Sequence, residues 1–85
     1  MSGERIAVDV DAFWPEDTDE DEGVVIDWFV REGATVSEGT VLCEIQVEKV
    51  GVDVLAPVSG ELVEIALSED AEFGRGDTLA WIVPE

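Results

Sequence analysis

Short runs of apolar and β-branched residues, separated by turn-forming residues, recur along the chain. The first two runs are residues 24–30 and 41–45, with glycine, serine and charged residues between them. The same arrangement returns at residues 62–67 and 78–83. Runs of this kind favour strands, and no stretch has a 3.6-residue helical period between capping residues. We therefore predict an all-β fold with little helix.

An internal repeat underlies this recurrence. Residues 23–45 align without a gap on residues 60–82, at a constant shift of 37 positions. Neither copy of so short a unit can bury its apolar face alone, so the two must pack on each other as sheets related by a pseudo-twofold axis. Six of the 23 aligned positions are identical: Gly23/Gly60, Glu32/Glu69, Ala34/Ala71, Gly39/Gly76, Leu42/Leu79 and Ile45/Ile82.

The link between the two copies, residues 46–59, contains a polar doublet within a valine-rich stretch. Val47 and Val50 flank the doublet Glu48-Lys49, and Gly51 follows. Valine favours extended chain, and glycine allows a tight reversal. We predict a β-hairpin here, with Lys49 near its tip and Gly51 permitting the turn.

Charge limits the classes of partner. The 85 residues include 22 acidic and four basic side chains, for a formal net charge of -18. Such a surface repels phosphate backbones and anionic lipid, so we expect neither nucleic-acid nor membrane binding. No apolar run approaches the roughly 20 residues of a membrane-spanning helix, and the first residues lack the pattern of a signal peptide. A cytoplasmic location is expected.

The distribution of these charges is also unusual. Lys49 is the only lysine, whereas Arg5, Arg31 and Arg75 supply the other positive charges. Scarce lysine in a strongly acidic chain is what we expect of a protein that works at high salt, where repulsion between carboxylates is screened. Six of the seven residues 16–22 are acidic. We interpret this run as a solvated loop, with partner docking as the alternative.

Several kinds of chemistry are excluded by composition. Histidine is absent and Cys43 is the only cysteine, which removes the usual zinc sites, serine–histidine catalysis and intrachain disulfides. Cys43 falls in a predicted strand, so we expect a buried thiol and not a nucleophile. Trp28 and Trp81 are expected in the core, and Trp14, beside a proline, partly exposed. No metal or nucleotide motif is present.

The lysine hairpin and the repeat together resemble a biotinyl/lipoyl carrier domain, specifically the lipoyl domain of a 2-oxo acid dehydrogenase E2 chain. The similarity extends from about Arg5 to Val83. In that family an acidic residue directly precedes the modified lysine, as Glu48 precedes Lys49, and a Pro-x-x-Gly step follows, as in residues 57–60. The resemblance implies a flattened barrel-sandwich of two four-stranded antiparallel sheets, with residues 1–85 forming one domain.

The sequence around the lysine departs from the common lipoyl pattern. Lipoyl domains often have Glu-Thr-Asp-Lys-Ala where this chain has Gln-Val-Glu-Lys-Val. Glu48, Val47 and Val50 are therefore the residues that we expect an attaching enzyme to recognise. Biotin carriers place methionine on both sides of their lysine, and the only methionine here is Met1. Lipoate on Lys49 is the expectation, with biotin as the alternative.

The resemblance also implies a function without catalysis by the chain itself. A lipoyl domain presents its cofactor arm to the thiamine-dependent E1, to the E2 acyltransferase and to the E3 dihydrolipoyl dehydrogenase in turn. Lipoate ligase or octanoyl transferase would modify the lysine. We expect a monomeric domain with no catalytic residues and no metal. The alternatives are a biotin carrier of a carboxylase and an unmodified barrel-sandwich module that binds other proteins.

Overall fold

Strands make up most of the described part of the chain, which is residues 4–16 and 18–85 of a computed structural model. The prediction of one domain over residues 1–85 therefore includes four residues, 1–3 and 17, that lie outside the described ones. The all-β prediction is confirmed. The elements are β1 (Ile6–Asp9), a 3₁₀ turn (Val10–Phe13), β2 (Glu22–Trp28), β3 (Thr35–Val36), β4 (Val41–Val47), β5 (Val50–Leu55), β6 (Gly60–Ile65), β7 (Glu72–Gly74) and β8 (Thr78–Pro84).

The strands form two four-stranded sheets, as predicted, and every pairing between them is antiparallel. The first sheet has the order β1-β8-β6-β3, and the second has the order β5-β4-β2-β7. We call the second one the hairpin sheet, because it contains β4 and β5 on either side of Lys49. The short strands are exchanged between the copies of the repeat: β3 of the first copy pairs with β6, and β7 of the second copy pairs with β2.

Pseudo-twofold symmetry extends to backbone detail. The ladder of β2 shifts register between Val25 and Asp27, and that of β6 shifts between Leu62 and Glu64, which are the equivalent positions at the 37-residue spacing. Gly33 donates its amide proton to the Leu62 carbonyl over 2.7 Å, and Asp70 donates to that of Val25 over 2.8 Å. Both donors have positive φ, 93° and 70°. The sequence repeat therefore reflects a repeated conformation.

The identical pair Glu32/Glu69 joins the two copies. The Ile65 amide donates to the Glu32 carboxylate over 2.8 Å, and the Trp28 amide donates to the Glu69 carboxylate over 3.5 Å. Each glutamate thus accepts a hydrogen bond from the strand of the other copy. The pKa of the Glu69 carboxyl is raised above its ordinary value, chiefly by a hydrogen bond with the Asp27 side chain, which outweighs the opposite effect of the bond from the Trp28 amide.

The core lies between the sheets, and two tryptophans are placed differently from the sequence prediction. Trp14 is only 7% exposed, and its ring meets Phe73 edge-on at 6.0 Å, so the expectation of partial exposure is wrong. Trp81 is half-buried and lies outside the core cluster, because its strand register directs it to the outer face of the sheet. Trp28 packs against the core and donates its Nε1 proton to the Leu67 carbonyl over 2.7 Å.

The first glycine of each repeat copy has no room for a side chain. A Cβ on Gly60 would overlap the backbone of Val83 and Pro84, which pairs with it across the sheet. Backbone cannot move aside as a flexible side chain can. A Cβ on Gly76, in contrast, would have no atom within 4 Å.

Gly60→Ala is expected to lower the free energy of unfolding by about 2 kcal/mol or more, because the added methyl group pushes β8 away from β6. Gly76→Ala is the matched control and should change it by less than about 0.5 kcal/mol. Chemical denaturation of the two variants beside the wild type measures the difference. Equal stability of the two variants would contradict the packing described for Gly60.

Cys43 is fully buried, as expected, and burial raises the pKa of its thiol to about 12. The thiolate is the reactive form, so we expect the native protein to react with a thiol-specific disulfide reagent at pH 8 at least ~100-fold more slowly than the unfolded chain. Absorbance of the released thiol product gives both rates. Rapid labelling of native protein would show that the thiol is accessible.

Candidate functional site

Lys49 lies at the apex of the hairpin between β4 and β5. Val47 and Val50 are the last paired residues of the two strands, so Glu48 and Lys49 alone form the turn. Both turn residues are exposed. The predicted hairpin with Lys49 near its tip is confirmed, and the amine stands where another protein can reach it.

The backbone reverses at Glu48 and not at the glycine. A two-residue hairpin turn requires positive φ at its first central residue, where glycine is usually found. Glu48 has a φ of 59° and, among the described non-glycine residues, shares positive φ only with Asp70. Gly51 lies within β5, paired with Gln46, so the expectation that it permits the turn is wrong. The acidic residue before the lysine is held in a conformation that is costly for a side-chain-bearing residue.

The base of the hairpin is anchored in the core. Val47 is fully buried, whereas Val50, directly opposite, is 44% exposed. The Gln46 side-chain amide donates a hydrogen bond to the Glu48 carbonyl over 3.1 Å, which braces the turn. Of the three predicted recognition residues, Glu48 and Val50 can therefore touch a partner, and Val47 acts on the site through the position of the strand.

The early acidic loop reaches the hairpin. Thr18 donates its hydroxyl proton to the Glu48 carboxylate over 3.3 Å, and the same hydroxyl accepts a hydrogen bond from the Glu20 amide over 3.1 Å. Beside this contact is an open groove of about 330 Å³, lined by Glu20, Glu22, Gly23, Val24, Gln46, Glu48 and Glu72. The part of the run 16–22 that the structure describes thus shares a surface with the lysine turn, and Asp17 lies outside the described residues.

Positive charge near the lysine is scarce. The ion pairs within the described residues are Arg5–Glu64 at 3.1 Å and Arg75–Asp11 at 3.6 Å, both at partly exposed side chains. Lys49 forms no ion pair with any described residue. The amine therefore projects from an acidic surface, and no carboxylate of the described residues forms an ion pair with it.

Other chemistry finds little support in the described parts of the chain. Residues 4–16 and 18–85 contain no group of three or more side chains arranged to bind a metal ion. Within the same residues, no helix has the length and the apolar character needed to cross a bilayer. Cys43 is buried with a raised pKa, which leaves Lys49 as the candidate for covalent modification.

Comparison with known proteins agrees with this geometry. The biotinyl/lipoyl family model, described as biotin-requiring enzyme, matches residues 17–82. A dihydrolipoyllysine-residue acetyltransferase component of the pyruvate dehydrogenase complex from Staphylococcus aureus is 38% identical over 61 residues, and its Staphylococcus epidermidis counterpart is 36% identical. The matched segment is 72% of this chain but only 14% of those relatives, so the chain corresponds to a small part of them.

Solved structures lead to the same fold. The lipoyl domain of the 2-oxoglutarate dehydrogenase complex from Azotobacter vinelandii has a TM-score of 0.68 and 26% identity, over 95% of each chain. A single-chain, multi-domain long-chain acyl-CoA carboxylase contains a region with a TM-score of 0.77, which covers all of this chain and 8% of the carboxylase. At 19% identity, the second likeness concerns the fold alone. Because the family model covers most of the sequence and the fold matches, the chain belongs to the biotinyl/lipoyl family of carrier domains, which are not themselves catalysts.

Proposed function

We propose that this protein is a lipoyl carrier domain, which holds lipoate in amide linkage to Lys49 and carries acyl groups and reducing equivalents within a 2-oxo acid dehydrogenase complex. The observation behind the proposal is that the only lysine in the chain stands at the apex of a two-residue turn. Family membership and the acetyltransferase relatives support it. The activity of a whole complex is part of the proposal, because the chain spans 14% of those relatives.

The residues around the turn fit such an attachment. Lys49 is exposed and pairs with no described carboxylate, so its amine is accessible to an activated acyl donor. Amide formation joins Nζ to the acyl carbon, with release of the donor's leaving group and loss of a proton from nitrogen. When bound, the dithiolane would supply the acyl-carrying and redox chemistry. The chain supplies the rigid base, since β4 below the turn is packed into the core.

Lipoate is favoured over biotin by the residues beside the lysine. Glu48 precedes Lys49 and Val50 follows it, whereas biotin carriers have methionine at both places. The 26% identical neighbour is a lipoyl domain, while the carboxylase likeness rests on the fold. A biotin carrier of a carboxylase remains the second candidate because the family model includes biotin-requiring enzymes. An unmodified interaction module is the third.

The partners follow from this function. Lipoate ligase or octanoyl transferase would recognise the exposed Glu48 and Val50 beside the amine, with Val47 fixing their position. The thiamine-dependent E1, the E2 acyltransferase and the E3 dihydrolipoyl dehydrogenase would then use the loaded arm in turn, and tethering raises its local concentration at each of them. A monomeric domain and a cytoplasmic location are part of the same proposal.

Coexpression with lipoate ligase is expected to add one lipoyl increment to the intact mass, located by peptide mapping to Lys49. Lys49→Arg keeps the charge and should carry no increment. Biotin ligase serves as the parallel arm, in which no addition is expected. A lipoyl increment that persists in Lys49→Arg would refute the attachment site. A biotin increment alone would contradict the lipoyl proposal and support the biotin carrier. The absence of an increment with either ligase would contradict both and support the unmodified interaction module.

The role of Glu48 in recognition can be separated from its role in the turn. Glu48→Gly removes the carboxylate but relieves the positive φ, so the hairpin should remain and stability should not fall. We expect the rate of lipoylation at a fixed ligase concentration to drop about tenfold, because one charge-assisted hydrogen bond to the ligase is lost. Asp70→Gly is the control, with the same change of charge at the other positive φ. Equal rates for both variants would exclude recognition through Glu48.

We also propose that the acidic surface is an adaptation to high salt. Two ion pairs within the described residues offset few of the 22 acidic side chains. The midpoint of thermal unfolding should rise from low to molar potassium chloride, by about 4–8 °C for each kcal/mol of repulsion that is screened. Sucrose at equal osmolality controls for general exclusion effects. A midpoint that stays flat or falls with salt would reject the adaptation.

A further inference from the structure

The exposed large apolar side chains of the described residues all belong to one sheet or directly follow one of its strands. They are Ile26, Phe29, Val50 and Leu55, between 40% and 54% exposed. The first belongs to β2, the second directly follows β2, and the other two belong to β5. Both strands are part of the hairpin sheet, and the other sheet has no such residue among those described.

The pseudo-twofold axis provides an internal control for this asymmetry. Phe29 donates its amide proton to the Leu42 carbonyl over 2.9 Å, and Ala66, its equivalent, donates to that of Leu79 over the same distance. The strand pair Val41/Leu55 likewise corresponds to the pair Thr78/Asp9. Backbone geometry is thus the same in the two sheets, yet Phe29, Val41 and Leu55 on one are replaced by Ala66, Thr78 and Asp9 on the other.

Folding therefore does not require apolar side chains at these three places. In the other sheet, the Thr78 hydroxyl donates to the Asp9 carboxylate over 2.8 Å. The same backbone geometry is therefore compatible with a polar pair at the surface. Val41 is half-buried but is not among the residues packed against the core, and Phe29 and Leu55 are open to solvent. Exposed apolar side chains that the fold does not need are typical of an interaction surface.

An acidic row lies next to the apolar one. Asp27 is directly opposite Glu44, and Glu44 is directly opposite Asp53, so three carboxylates stand side by side across β2, β4 and β5. Like charges directly opposite each other destabilise a sheet. Within the described residues, none of the three forms an ion pair. The equivalent row of the other sheet is Glu64, Trp81 and Ala7, and its one carboxylate pairs with Arg5 over 3.1 Å.

We propose that the outer face of the hairpin sheet, with its apolar row Phe29, Val41 and Leu55 and its acidic row Asp27, Glu44 and Asp53, binds a partner protein. The contact surface of that partner has an apolar centre bordered by lysine or arginine side chains. Charge complementarity selects this occupant, because the acidic row has no described cation to neutralise it. A second copy of the chain does not fit, since each copy has a net charge of -18 and four basic residues.

Binding a partner at this surface is a function separate from carrying the cofactor, and the surface does not include Lys49. Val41 and Leu55 pair at the end of the β4–β5 ladder opposite the turn, six residues along β5 from Lys49. At roughly 3.3 Å per residue, that separation is about 20 Å. Docking here would leave the lysine turn free to enter a different active site.

Site-specific crosslinking in the organism that encodes the protein tests the proposal. The photoreactive residue p-benzoylphenylalanine replaces Phe29 in one version of the full chain and the equivalent Ala66 in the other. We expect the Phe29 version to crosslink one discrete protein at least tenfold more strongly than the Ala66 version. The crosslink should persist when Lys49→Arg is added, so this result is independent of lipoylation.

The captured protein is then purified and its affinity for the chain measured by calorimetry. The variant Phe29→Ala/Val41→Thr/Leu55→Asp copies the side chains of the other sheet, which this backbone already accommodates, and should weaken binding at least tenfold. Asp27→Asn/Asp53→Asn should also weaken it at least tenfold, whereas Thr78→Val in the other sheet should not. Equal crosslinking at both positions, crosslinking only to a second copy, no crosslink, or unchanged affinity of the variants would overturn the proposal.

Discussion

Each half of this molecule completes the sheet of the other half. The strand β3 from the first copy closes the sheet around β6, and β7 from the second closes the sheet around β2. Neither copy has enough strands to bury its own apolar face, so the exchange is what encloses a core in so short a chain. Glycine at the start of each copy, the two glutamates that cross between copies, and the matched register shifts all serve this exchange.

The same constraint explains why one hairpin stands out. In the hairpin sheet, β4 and β5 are consecutive and are joined by Glu48 and Lys49. Their counterparts β8 and β1 pair in the same way but are the last and first strands, so no turn joins them. The two ends therefore share the same antiparallel strand pairing, and connectivity puts a turn on only one of them. The asymmetry of side chains on the outer faces follows the same division, with apolar and unpaired acidic residues on the sheet that carries the lysine.

Much of this organisation could be predicted from the sequence, because a 37-residue repeat with strand-like periodicity leaves few ways to bury a core. Local detail was less accessible. Leu42 and Cys43 are both buried, because the ladder shifts register between Val41 and Cys43, and alternation of apolar residues cannot reveal such a bulge. The equivalent shift in the pairing of β1 with β8 likewise hides the outward direction of Trp81 from the sequence pattern. Sequence alone favours Gly51 for the turn because glycine usually supplies positive φ, whereas in the structure Glu48 supplies it.

The central claim is that an attaching enzyme acts on Lys49 because of its place at the apex. Moving the amine by one residue tests this most directly. In Lys49→Arg/Val50→Lys the chain keeps one lysine, now at the first position of β5, where the replaced valine is 44% exposed and a longer side chain fits. The account predicts that lipoate ligase leaves this variant at its unmodified mass while the wild type gains the lipoyl group. Modification of the displaced lysine at the wild-type rate would contradict it.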